Sequence, residues 1–243
     1  MSNIKKPSLF LQLTEGFRYT IDLVKALYFF SMYNFKAKGD KHPVLVVPGL
    51  MCTDFSTILL RKFINKLGYT AYGWELGRNL GDLKDLNDIR KLQNRVADIR
   101  QKHNGKITLV GWSMGGIYTR ELAKMNPELF HQVITIGAPF ADAYAPNNVE
   151  WFYKLIKNPA DVSSAWREQM PIPAPIMTTA MYSKQDGLVP WEACKEIMQD
   201  DLHQNIEVSG SHWGLVTNAE VFAIVAKQIP YSERKVLEST PSV

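Results

Sequence analysis

Cysteine is scarce in this sequence: Cys52 and Cys194 are the two present in 243 residues. They lie far apart and follow no metal-ligand spacing. A disulfide scaffold and a cysteine metal site are therefore not expected, and a reducing compartment is. An excess of one charge is also lacking. Lys and Arg number 28 against 24 Asp and Glu, a formal net charge of +4 with no basic run. That balance gives no footing for nucleic-acid binding. No internal repeat or low-complexity tract is visible. Nor is there a long uninterrupted apolar run. Lys5 and Lys6 precede Leu9-Phe10-Leu11, but Thr14, Glu15, Arg18 and Asp22 break that stretch, and no small-residue cleavage site follows. A signal peptide is not expected, nor is a spanning helix, which needs about 20 mostly apolar residues. The expectation is a cytoplasmic protein without cofactor or metal.

What is present suits one domain with a sizeable core: 46% of residues are hydrophobic and 21% charged. The core begins at Pro43-Val44-Leu45-Val46-Val47, a continuous apolar run suited to a parallel strand buried on both faces. Asp54 can cap the helix that follows, through about Leu67. Strand is expected at 68–72, loop at 73–82, helix from about Leu83 to His103, strand from Lys106 to Val110, and helix over 117–125. Strand then recurs at 133–136. The segment 140–175 breaks the alternation; it is rich in aromatics, including Trp151, Phe152 and Trp166, and holds five prolines. A helix is expected within it near 149–157. Strand at 176–182, helix near 192–198, strand at 206–208 and helix from about 218 to 228 complete the pattern. Such alternation implies an α/β fold, a mostly parallel sheet with helices on both faces. Its site lies outside the carboxyl ends of the strands.

The decisive stretch is Gly111-Trp112-Ser113-Met114-Gly115-Gly116. It lies between a strand and a helix, and the serine has glycine at −2 and +2. This is the G-x-S-x-G turn, in which a strained backbone projects the hydroxyl and any bulk at the flanking positions would collide with strand or helix. The following helix directs its free N–H groups toward an oxyanion.

A serine needs a base, and the base needs an orienting acid. Of five histidines, His42, His103, His131 and His203 fall before or between elements, at the wrong ends of strands. His212 alone follows a strand and precedes a helix, in Gly210-Ser211-His212-Trp213-Gly214. Asp186 leaves the end of another strand in Asp186-Gly187-Leu188-Val189-Pro190, and Asp142 and Asp161 are the alternatives. The order Ser, Asp, His is the one this turn requires. Two backbone N–H groups should bind the oxyanion: that of Met114, and that of Leu50 or Met51 in the turn Pro48-Gly49-Leu50-Met51. Cys52, beside this turn, reads as a small buried residue, and Arg78 as a structural loop arginine, with contact to an acid group of the substrate as the alternative.

Together these motifs resemble the α/β-hydrolase superfamily, and within it the small bacterial lipases and esterases, over roughly Pro43 to Gln228. The resemblance implies ester hydrolysis through an acyl-enzyme, with residues 140–175 as a cap over the acyl pocket. It carries Ser113, Asp186 and His212 as catalytic residues and Leu50 and Met114 as the oxyanion hole. One departure is proline where histidine usually precedes the oxyanion glycine, which leaves the backbone donor in place. The expected substrate is a small-molecule or lipid ester with an apolar acyl part. An acyltransferase or thioesterase can use the same three residues, and a non-catalytic binding protein can share the fold.

Residues 1–42 fall outside the resemblance as an N-terminal helical extension, ahead of a domain at 43–230 and a polar tail at 231–243. Over 8–35 one long helix or two joined ones are expected, with Leu9, Leu13, Phe17, Thr20, Val24, Leu27 and Tyr28 at helical spacing. The plainer reading packs this stripe on the body. The sharper one rests residues 9–35 on a membrane or on lipid substrate.

Overall fold

Pro43–Val47 forms β1, buried at every position. Around it assemble β2 (Thr70–Gly73), β3 (Ile107–Trp112), β4 (Phe130–Ile136), β5 (Met177–Tyr182) and β6 (His203–Glu207). The computed structural model describes residues 4–35, 39–81, 89–143, 145–149 and 164–239, with the backbone alone at 164, 165, 167 and 231–239. The strand order is β2-β1-β3-β4-β5-β6, and every pairing is parallel. Central strands β1, β3 and β5 are buried throughout, because helices cover both faces and leave no polar side.

The helices are α1 (Leu9–Leu13), α2 (Glu15–Met32), α3 (Ile58–Lys66), α4 (Arg90–Lys102), α5 (Met114–Met125), α6 (Ser164–Gln169) and α7 (Ala219–Ser239). One face of the sheet carries α4 and α5 through Leu92, Val96, Ile99, Tyr118 and Leu122. The other carries α3, α7 and the end of α2 through Leu60, Phe63, Phe222 and Val225. Phe63 stacks on Phe222 at 4.8 Å and also meets Phe29, Tyr33 and Phe35. That aromatic group anchors the carboxyl end of α2 to the body.

Several expectations shift. The strand before the serine runs on through Trp112, and α5 starts at Met114, directly after Ser113. His131 lies inside β4 and His203 opens β6, so neither is in a link. Thr53, not Asp54, caps the turn before α3; the Asp54 carboxylate instead accepts Trp74 N (2.9 Å) and Glu75 N (3.0 Å) beyond β2. The helix expected at 192–198 is a short 3₁₀ turn over Trp191–Cys194. Glu196 leaves it because its backbone N–H goes to Asn205 Oδ1 (2.7 Å) and its carboxylate to a buried arginine. Asn218 Oδ1 caps α7 by accepting Glu220 N (2.8 Å), and the helix continues past Pro230 to Ser239, into the stretch read as a tail. A proline removes one i→i−4 bond there without ending the helix. The helix expected at 149–157 and the first turns of the one expected from Leu83 lie outside the described residues.

The largest departure concerns α1 and α2. The chain breaks at Thr14 into two joined helices, but the buried residues of α2 are Glu15, Asp22 and Ala26. The apolar stripe faces outward, with Phe10 72%, Leu13 76% and Phe17 72% exposed. Over the first turns of α2 two carboxylates meet the body in place of the apolar stripe; hydrophobic contact begins only at Ala26 and the aromatic group that follows it.

Candidate active site

Ser113 sits between β3 and α5 at φ 54° and ψ −126°, a region L-residues rarely enter. Its N–H donates to Ile136 O (2.9 Å), which fixes the turn against β4. A Cβ on Gly111 would stand 2.5 Å from Gly115 O and Gly116 Cα, and one on Gly115 would strike the Val47 and Pro48 carbonyls. The two flanking glycines are thus demanded by backbone, which no side-chain repacking can relieve.

The loops after β5 and β6 bring two distant side chains to this serine. His212 Nε2 lies 3.0 Å from Ser113 Oγ, and His212 Nδ1 lies 2.5 Å from Asp186 Oδ2. Asp186 is the partner of the imidazole, in place of the alternative Asp142; Asp161 lies outside the described residues. The other Asp186 oxygen accepts Leu188 N (2.8 Å) and Val189 N (2.9 Å), which fixes the carboxylate's orientation. Trp112 Nε1 donates to His212 O (3.2 Å), and Ser183 Oγ donates to Gly210 O (2.7 Å), tying the histidine loop to both strands. Burial lowers the His212 pKa, but the Asp186 charge, its hydrogen bond and the Glu15 charge outweigh it and leave the pKa above the ordinary value of 6.5.

The other histidines sit elsewhere. His42 contacts Asp40 and Thr108, His103 contacts Tyr72, and His203 contacts Asp200 and Ala174 O. Among the described residues no group of three or more His, Cys, Asp or Glu is placed to hold a metal ion.

The turn after β1 is held by Asn79, which sequence reasoning missed. Met51 N donates to Asn79 O (2.6 Å), Asn79 N donates to Cys52 O (2.8 Å), and Asn79 Nδ2 donates to Pro48 O (2.9 Å). The Met51 N–H is thereby spent, so of the two expected oxyanion donors in this turn Leu50 is the one left as a candidate. Arg78 Nη1 donates to Met51 O (2.9 Å), so this arginine braces the loop. Burial raises the Cys52 thiol pKa, against a role as a second nucleophile.

Glu15 and Asp22 were also missed. Glu15 reaches both the loop that carries Asp186 and the loop that carries His212, and Asp22 reaches the latter. Their signal was a carboxylate at positions 15 and 22, two turns apart on one helical face with Ala26.

A model of the alpha/beta hydrolase family matches residues 44–224. The chain belongs to that family. Human serine hydrolase BPHL is 30% identical over 156 residues, covering 56% of this chain and 47% of the relative, so the match spans about half the relative's length. The fold of this α/β-hydrolase is similar to a solved chain described for LipS and LipT, two metagenome-derived lipolytic enzymes. The TM-score is 0.59 at 16% identity, over 81% of this chain and 95% of that one. It is also similar to lipase BlEst2 of Bacillus licheniformis in its mature form, with TM-score 0.56 and 19% identity over 83% and 94% of the two chains. Residues 1–43 of this α/β-hydrolase precede the matched region, so α2, which bears both Glu15 and Asp22, lies outside it.

Proposed function

We propose that this α/β-hydrolase is a serine carboxylic ester hydrolase of the esterase and lipase type, acting on esters with an apolar acyl part. The observation that carries this reading is the continuous path of hydrogen bonds from Ser113 Oγ through the imidazole of His212 to Asp186. Family membership supports hydrolase chemistry, and the relatives above include a serine hydrolase and lipases.

In this reading Ser113 Oγ attacks the ester carbonyl carbon while His212 Nε2 takes the hydroxyl proton. Asp186 holds Nδ1–H and stabilises the imidazolium. The carbonyl oxygen gains the negative charge and binds the N–H groups of Leu50 and Met114. Losing one such donor typically costs ~2.7–4 kcal/mol of transition-state stabilisation. The tetrahedral species collapses, the C–O bond breaks, and the alcohol leaves with the proton from His212. Water then attacks the acyl-enzyme by the same relay, releasing the acid.

A fluorophosphonate probe should label wild-type protein at Ser113, and Ser113→Ala should lose both labelling and p-nitrophenyl ester turnover while keeping its fold. A wild-type protein that neither labels nor turns over an ester or thioester would sink the reading. Esters of graded chain length define the acyl preference, and added alcohols separate transfer from hydrolysis.

The outer face of α1 and α2 supports lipid as the substrate's setting. Leu9, Phe10, Leu13, Phe17, Val24 and Leu27 are exposed together, with Lys5, Lys6 and Lys25 exposed beside them. Apolar residues flanked by lysines suit an anionic lipid surface. Trp213, next to His212, is a further exposed apolar side chain at 48%, and its N–H donates to Glu15 on the body-facing side of α2. Phe10→Ser with Phe17→Ser should weaken binding to vesicles containing anionic lipid. Unchanged vesicle binding, or a concentration-dependent dimer abolished by the same substitutions, would refute a lipid face.

A further inference from the structure

We infer that Glu15 is a positioning residue for Ser113, His212 and Asp186: its carboxylate, delivered by α2, ties the loop bearing the acid to the loop bearing the base. The inference rests on the hydrolase reading and goes beyond it.

Glu15 is 2% exposed, and its two oxygens accept three backbone N–H groups from two separate loops. Oε1 accepts Gly187 N (2.8 Å), the residue after Asp186, and His212 N itself (3.1 Å). Oε2 accepts Trp213 N (3.2 Å). Arg18 pairs with Oε1 (3.0 Å) and donates to Gln185 O (2.6 Å), on the other side of Asp186. One turn on, Asp22 Oδ2 accepts Ser211 N and Ser211 Oγ, both at 3.1 Å. Residues 185, 187, 211, 212 and 213 are thus all held by one helix. The loops carry glycine where that helix and α1 come closest. A Cβ on Gly187 would stand 2.5 Å from the Leu11 carbonyl, and one on Gly214 would strike Asp22 Oδ2.

A buried carboxylate is a costly anchor unless it is fully hydrogen-bonded, and an apolar contact would serve mere adhesion. Here the anchor also carries charge beside the imidazole. The charges that act on His212 are Asp186 from the β5 loop and Glu15 from α2; Asp22 and Arg18 of the same helix bond to Ser211 and Gln185, the neighbours of His212 and Asp186. Glu15 favours the imidazolium that forms when Ser113 gives up its proton, and Arg18, paired with Glu15 at 3.0 Å, offsets part of that charge. Reach and charge are separable, so the role can be tested apart from folding.

The experiment follows the His212 imidazole by NMR titration alongside steady-state kinetics, in the full chain. Glu15→Gln should lower the His212 pKa and reduce kcat by roughly a hundredfold with KM little changed, as small misplacements of catalytic groups do. Glu15→Asp keeps the charge at shorter reach, so it should retain the raised pKa while losing kcat. Arg18→Met should raise the pKa further, a shift opposite in sign that no loss of packing explains. Folded Glu15→Gln with an unchanged His212 titration and unchanged kcat would overturn the inference. Where Glu15→Gln does not fold, Arg18→Met decides: a raised pKa supports the role, and an unmoved one overturns it. If wild-type protein turns over no ester, the hydrolase reading falls, while the titrations still decide whether Glu15 sets the imidazole.

Discussion

Ser113 holds a backbone conformation, φ 54° and ψ −126°, that glycine tolerates and other residues resist. Such strain costs about 1–3 kcal/mol and persists only where the surroundings enforce it. The Ile136 carbonyl and the two glycines are those surroundings. Ser113→Gly and Ser113→Ala should both be inactive, yet the glycine variant should be the more stable by about 1 kcal/mol, since it alone relieves the strain. Urea denaturation of the pair measures this, and equal stability would mean the turn is unstrained. At the same scale, the proposed reaction needs His212 neutral to accept the serine proton. Its pKa lies above 6.5 because Asp186 and Glu15 outweigh burial, so kcat/KM should climb with pH through a midpoint above 6.5. A midpoint below that value would remove the carboxylates from the explanation. The raised pKa also adds stability that is complete below the unfolded value and is lost as pH rises through the folded one.

Among elements, α5 does two things. Its first residue is Met114, whose N–H is the oxyanion donor in the proposed reaction, and its middle carries Arg120, which is fully buried. Arg120 pairs with the buried carboxylate of Glu196, donates to Ile172 O (3.1 Å) and lies 3.7 Å from the Phe140 ring centroid. The helix behind the serine is thereby bound to both ends of 140–175 and to the turn beyond β5. Arg120→Ala would strand Glu196, whose pKa burial already raises, and should cost about 3–5 kcal/mol in chemical denaturation. A loss under 1 kcal/mol would mean the carboxylate simply takes up a proton. This contact also explains what sequence could not reveal. Glu192 to Met198 reads as helix locally, but two long-range bonds at Glu196 override that propensity. The strands and the positions of Ser113, Asp186 and His212 were legible because each follows from local pattern: apolar runs, and loops at their carboxyl ends. The α1–α2 pair was legible as helix and illegible in orientation. Its apolar stripe argues for burial, and only the distant loops reveal that Glu15 and Asp22 have backbone N–H groups to satisfy. Asn79 was hidden for the same reason, since its three bonds serve a turn far off in sequence.

Across the whole molecule, the two ends of the sheet respond oppositely to protons. The carboxyl end carries His212, whose pKa is raised. The amino end carries His42 and His131, with ring centroids 5.0 Å apart. Burial lowers the pKa of both; His131, near His42 and Lys106, is pushed down to about 4. A histidine held neutral in the fold takes up its proton once unfolded. The stability it confers is therefore present above 6.5 and lost as pH falls toward about 4. The urea midpoint should fall across that window, and His131→Gln should flatten the fall, because it removes the group whose unfolded state gains the proton. Other acid-sensitive groups, Asp40 among them, remain in the variant, so the difference between the two curves isolates His131. Parallel curves would show that His131 titrates alike in both states. Activity separates the two ends: turnover lost by protonating His212 should vanish at higher pH than the fold does and return at once on neutralisation.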